Sequence, residues 1–347
     1  MRLFIAALLL TAHLAHATDA DASKPAHAGS YAVLNQYTLG GAGSWDYLTL
    51  NPVAHQLFIS RSDRVLVVNT DDGSVKTTIS GTNGVHGIAL IPQLGRGYTT
   101  NGRTDTLTVF DMATLKSTGT IPTGGHNPDA LIYDEASKHL FVFNGRSNDA
   151  SIIDPVSGKL LMVLPLAGRP EFAAVDGKGR LFLNIEDKAK LVGIDTIRSK
   201  VVATWSLATC EEPSGLAFDV AHERLFSTCQ NGVMIVTDST SGKQVARIPI
   251  GKGPDAAAFD EAKGLVFSSN GDDGTLTVVH EDDADHYSVV STVPTQKSAR
   301  TMALDAKTHR IYLVAAEFGK TPSPSKEQPH PRPLVLDNSF KVLVVGE

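Results

Sequence analysis

The sequence predicts an all-β protein, a seven-bladed β-propeller of four-stranded blades whose ring is closed by an N-terminal strand that completes the last blade. Three observations predict it. A module of about forty-two residues recurs along the chain. Each module holds four short apolar strands separated by polar turns. The last module lacks its fourth strand, and a spare strand stands before the first module.

The best copy of the module has strands at 129–134, 139–144, 150–154 and 159–164. Its first and third strands close on Asp134 and Asp154, and its second on Asn144. One such unit exposes apolar faces that it cannot bury alone, whereas copies arranged in a ring bury them against one another. The residues closing the third strands are Asn69, Asp111, Asp154, Asp195, Asp238 and His280, at spacings of 42, 43, 41, 43 and 42. Those closing the first strands are Asn51, Pro92, Asp134, Asp176, Asp219, Asp260 and Asp305. Seven first strands imply seven modules, and four strands at this period are the signature of a propeller blade.

The seventh module has strands at 301–305, 310–314 and 340–345 and no fourth. The spare strand, at 31–37, is followed by Gly40 and Gly41. It is expected to pair beside 340–345 as the outer strand of the last blade, which removes the open edge between the first and last modules.

Residues 1–17 read as a secretory signal. Arg2 carries the positive charge, Leu3 to Leu10 form a short apolar core, and Ala15 and Ala17 fit the small-residue cleavage rule. Residues 18–30 follow as a flexible tail, and 31–347 form a single propeller. The expected location is the periplasm or the outside. No later stretch is apolar enough to span a membrane. Without Arg2 the chain carries 30 basic and 37 acidic residues, which argues against a general nucleic-acid binder. A monomer is expected.

Cys210 precedes the first strand of the fifth module and Cys229 follows its second. Adjacent antiparallel strands set these ends side by side. In an oxidising compartment a disulfide is expected.

The turns between first and second strands carry His55, His139, His222 and His309. Their blade-period recurrence in polar turns marks them as turn-bonding residues rather than ligands. The loops leading into the first strands are more varied. They carry Asp46, His86, His126, Asp129, Arg169, Glu171, Glu212, Asp255 and Arg300, which should ring the mouth of the central channel on one funnel-shaped face. These nine are the candidate binding residues. Converging carboxylates repel and need a cation, protons or water.

Asn101, Asn144, Asn184 and Asn270 follow the second strands on the same face. Asn is a strong turn former that tolerates left-handed backbone, which accounts for its recurrence. A sharper reading makes some of them oxygen ligands. The candidate metal set is then Asp129, Asn144, Glu171, Asn184 and Glu212, with His86 or His126 as base. Such an oxygen-rich site suits a divalent cation such as calcium or magnesium, whereas the histidines favour a transition metal. No other cofactor is indicated.

Residues 317–338 interrupt the seventh module with a Pro-rich, locally basic segment. Three roles fit it: a lid over the mouth, an extended segment for a partner, or a disordered insertion.

The stretches from Tyr98 to Asn101 and Leu107 to Asp111, and from Phe141 to Asn144 and Ser151 to Asp154, resemble the YVTN β-propeller repeat. Over residues 30–347 the chain is similar to secreted bacterial YncE-like propellers. Ser60 and Cys229 stand where that repeat has Asn. The resemblance implies a seven-bladed ring and supplies no catalytic set. The sequence has no nucleophile elbow, Walker loop, zinc-protease motif or haem-attachment motif. The leading expectation is therefore a ligand- or protein-binding or scaffolding module acting through its funnel face. The alternative is a metal-dependent, lactonase-like hydrolase with a divalent cation at the channel mouth. A quinone-dependent dehydrogenase is the weakest option, because no repeated tryptophan-docking pattern is present.

Overall fold

The structure, a computed structural model, describes residues 30–324 and 333–347. The expected signal, the tail up to residue 29 and the middle of the Pro-rich segment lie outside the described residues. Seven four-stranded antiparallel sheets follow one another along the chain. Each first strand touches the first strands of both neighbouring sheets, and that of the seventh touches that of the first. The seven sheets therefore form a closed ring of blades around an axis lined by first strands. No helix among the described residues is long and apolar enough to cross a membrane.

Alternation of side chains explains why the blades pack. The second strand of blade three, His139–Asn144, is buried on both faces. Successive residues in a strand point to opposite sides. Leu140 and Val142 enter the core shared with blade two, and Phe141 and Phe143 enter the core shared with blade four. The same partition repeats, so that each junction between blades holds its own apolar cluster. Fourth strands have one wet face, as the exposed Lys159–Pro165 shows. A ring of small cores thus stabilises a chain too long for one core.

The recurrent Asp residues close turns. Asp111, Asp154 and Asp238 accept backbone N–H groups two or three residues ahead, as do Asp219 and Asp305 after first strands. These local bonds compete with continued pairing and end the strands.

The ring closes as expected. The strand Ala32–Thr38 pairs antiparallel with Lys341–Gly346 and forms the outer edge of blade seven. The strand starts one residue later than the sequence suggests, because Tyr31 turns inward. It is 5 % exposed and lies edge-on to Phe267, between blades six and seven. Tyr37 covers Gly73 of blade one, whose left-handed backbone (φ 74°) and missing Cβ leave room for the ring. The chain then passes into blade one over Arg61, which is fully buried. Its guanidinium donates to the carbonyls of Gly41, Ala42 and Gly43 at 2.9–3.1 Å and lies 3.5 Å from the centre of the Phe340 ring. Burial, helped by Arg64, pushes Arg61 down to about 10.

Three of the strand ends that differ from the sequence reading have a clear local cause. The first strand of blade two stops at Ile91, because Pro92 lacks an N–H for the ladder and opens a single helical turn, Pro92–Leu94. That of blade four stops at Val175, and Asp176 instead accepts the N–H groups of Lys178 and Arg180. The third strand of blade six runs past His280 to Asp283 and pairs with His286–Pro294, the longest hairpin in the ring. Cys210 and Cys229 form the expected disulfide, with their Cα atoms 5.3 Å apart. It ties the loop leading into blade five to the end of that blade's second strand.

Removing residues 30–38 should expose the edge of Lys341–Gly346 and strip Tyr31 and Tyr37 from two junctions. The expected result is a melting temperature lower by at least ~10 °C in circular dichroism. An unchanged melting curve would refute closure by this strand.

Candidate functional site

A recurrent β-bulge builds the mouth of the channel. In blades two to six the first strand has one residue more than its partner, directly after its first paired residue. The residues in that position are His86, Asp129, Glu171, Ser214 and Asp255. A bulge bends the strand and re-aims its side chains. In blades three to six the preceding residue is Pro128, Pro170, Pro213 or Pro254, which fixes the backbone as the chain drops inward. Asp46 and Arg300 stand just before the first strands of blades one and seven.

Polar side chains from neighbouring second strands satisfy the bulged backbone. Thr100 accepts from the N–H of Gly87 at 2.8 Å and donates to the carbonyl of Asp129. Gly87 has to be small, because a Cβ there would lie 2.7 Å from that same carbonyl oxygen. Asn184 donates to the carbonyls of Ser214 and Gly215 and accepts from Ser227.

The mouth is acidic and half-buried. Nδ1 of His86 lies 2.6 Å from Oδ2 of Asp46 and 3.7 Å from Oδ1 of Asp129. Arg300 pairs with Asp255 at 3.2 Å, and Asp255 also accepts from the Ser214 hydroxyl at 2.7 Å. Arg169 reaches Glu186 at 2.6 Å. Burial pushes Asp129 up to about 7, against the pull of His86 and with added repulsion from Asp46 and Asp255. Burial, then Asp129 and Glu186, holds Glu171 well above the ordinary carboxylate range. Burial also raises Asp255, opposed by Arg300. Tyr47 stacks on Phe172 with ring centres 4.6 Å apart. Its hydroxyl is buried and has no hydrogen-bond partner among the described residues. Burial raises its pKa, followed by the charges of Asp129, Glu171, Asp46 and Asp255.

The structure brings six of the nine candidate residues together: Asp46, His86, Asp129, Glu171, Asp255 and Arg300. Arg169 reaches the group through Glu186. His126 points elsewhere. It pairs with Asp105 at 2.8 Å, is 74 % exposed, and lines a separate cleft of about 400 Å³ with Arg103 and Arg146. Glu212 is exposed, with a left-handed φ of 46°, and Ser214 takes the bulge position in its blade.

The proposed metal set is not drawn into one group. Asn144 is buried within its blade and donates to Asp149 and Ser151, and Asn184 supports the bulge of blade five. The amides of Asn101 and Asn270 make the same bridge to the third strand as Asn144, reaching Thr106 with Thr108 and Thr275 with Thr277. None of these Asn residues has the left-handed backbone the sequence reading invoked. Asn recurs because its amide ties second strand to third.

Sequence reasoning missed Tyr47, Glu186 and Ser214. Aligning the modules on their Pro residues would have found Ser214, which follows Pro213 as Asp129 follows Pro128. Glu186 sits in a one-turn helix, Glu186–Lys188, that among the described residues only blade four has after its second strand.

A cleft of about 840 Å³ flanks the mouth, walled by Trp45, Arg103, Arg300 and the stem of the Pro-rich segment. The stem is ordered by a bridge between Phe318 and Val335 and by backbone bonds from Gly319 to Leu334 and Leu336 to Glu317. Phe318 stacks on Trp45 with ring centres 5.8 Å apart.

No family model matches the chain, and no curated protein matches it.

On the opposite, tight-turn side, His55, His222 and His309 bond the carboxylates of Asp71, Asp219 and Asp260 through Nδ1. His222 also lies 3.6 Å from Glu281, which the long hairpin of blade six brings alongside. Burial and the neighbouring Asp219 push Glu281 up to about 7. An acid raised above its unfolded value near ~4 keeps its proton in the native state. The stability it contributes is full below pH ~4 and is lost as the pH rises towards 7. Replacing Glu281 by Gln is expected to flatten the fall of melting temperature across that window. An unchanged slope would show that Glu281 titrates normally.

Proposed function

We propose that the protein is a binding module of the YVTN-propeller type, working in the periplasm or outside the cell through its funnel face. The disulfide between Cys210 and Cys229 fits an oxidising compartment. The YVTN-like repeats fit the seven-bladed ring. One observation carries the reading. Asp46, Asp129, Glu171, Glu186 and Asp255 converge on one mouth, where burial and mutual repulsion raise the pKa values of Asp129, Glu171 and Asp255. The apolar junctions between blades hold the ring together without them. A cluster that burdens folding and leaves the framework unsupported is the mark of a site kept for a partner.

The excess of carboxylate over Arg300, His86 and Arg169 favours a ligand or protein segment bearing positive charge. The adjoining cleft, with Trp45 and Phe318, offers an apolar wall for the rest of it. Binding is supported ahead of hydrolysis, because Asn144 and Asn184 serve the framework and leave no lactonase-like ligand set.

Glu171→Gln tests this reading without knowledge of the ligand. Replacing a buried, repelled acid by its neutral isostere should raise the melting temperature at pH 8 by ~3 °C or more. A lower melting temperature would make Glu171 a framework residue and remove the main support for a funnel-face site.

A further inference from the structure

We infer that Asp46, His86 and Asp129 hold a divalent transition-metal cation at the mouth of the channel, an assignment that rests on the funnel face being the binding face. One ligand atom from each of Asp46, His86 and Asp129 lies within 4.8 Å of the other two. Donors about 2.0–2.2 Å from a zinc-like ion stand ~3–3.6 Å apart. The observed 2.6 Å and 3.7 Å separations from Nδ1 bracket that range, so small side-chain rotations would admit an ion. At 2.6 Å, Nδ1 of His86 and Oδ2 of Asp46 share a proton when no ion is bound. A cation replaces that proton and adds charge where the surroundings call for it.

The backbone behind these donors is already fixed. Thr100 bonds both Gly87, next to His86, and Asp129, and each donor comes from a different blade or its approach loop. Binding would therefore demand little reorganisation. The buried Tyr47 hydroxyl, adjacent in sequence to Asp46, has no hydrogen-bond partner among the described residues and is an independent pointer to a ligand here. Buried hydroxyls almost always have a partner, and water completing the coordination of an ion supplies one. Tyr47 stands within electrostatic reach of both Asp46 and Asp129. One imidazole nitrogen and two carboxylate oxygens suit zinc, manganese, iron or cobalt better than calcium, which prefers six to eight oxygens.

The test uses chelator-treated full-length protein at pH 7.5. Zn²⁺ is titrated by calorimetry, Co²⁺ by its visible absorption, and Ca²⁺ serves as the hard-ion comparison. The expected result is tighter binding of Zn²⁺ and Co²⁺ than of Ca²⁺. Asp46→Asn and His86→Gln should each weaken Zn²⁺ binding at least ~tenfold. His222→Ala, on the opposite face, should leave it unchanged. Thermal melts confirm that each variant is folded. Absence of Zn²⁺ and Co²⁺ binding, preference for Ca²⁺, indifference to Asp46→Asn and His86→Gln, or loss in His222→Ala would each overturn the assignment. If the metal fails while Glu171→Gln still raises the melting temperature, the funnel reading stands and only the cation falls. If both fail, both fall.

Discussion

Everything in this ring depends on strands that have no wet face. A second strand such as His139–Asn144 sends alternate side chains into two different cores, so it is stable only with a blade on either side. A blade at an open end would leave one of those faces in water. That constraint requires closure, and closure in turn requires a strand from the far end of the chain. It also demands a fixed strand register, because a one-residue slip in any blade would exchange the contents of two junctions.

The same constraint locates the site. The junctions need regular pleating, so function is confined to places where the pleat is broken. The bulges at the start of the first strands are such places. Each adds one residue that the ladder does not use and turns its side chain to the mouth. The hydroxyl and amide groups of Thr100 and Asn184 belong to the framework, yet they hold the bulged carbonyls on which the mouth residues are carried. The carboxylates are thereby fixed close together in spite of their repulsion.

The fold was legible because its signals are local and periodic: apolar alternation, an Asp at most of the turns, and a repeat of nearly constant length. The missing fourth strand of the seventh module made the seam legible as well. The site was only partly legible. Asp46, His86, Asp129, Glu171, Asp255 and Arg300 could be found from their position before or at the start of first strands. Glu212, the acid before Pro213, stands out in the sequence by its charge, but the bulge, which decides which side chain faces the axis, falls one residue after the Pro, at Ser214. Asn144 and Asn184 looked like oxygen donors because sequence does not show what a buried amide already holds. Tyr47 carries no motif, and its isolation is visible only when its neighbours are placed around it.

The seam between Ala32–Thr38 and Lys341–Gly346 joins segments roughly 300 residues apart, so its formation carries the largest chain-entropy cost in the molecule. The other six blades can assemble from neighbouring sequence as the polypeptide emerges, but the outer strand of blade seven is made first and used last. Until then it remains an unpaired edge beside an unfinished ring. Arg61 and Phe340 bear on this interval: the guanidinium gathers the carbonyls of Gly41, Ala42 and Gly43 against a ring supplied by the closing end. The order of synthesis and the order of closure are thus opposed, and the ring becomes a single cooperative body only when Lys341–Gly346 pairs with Ala32–Thr38.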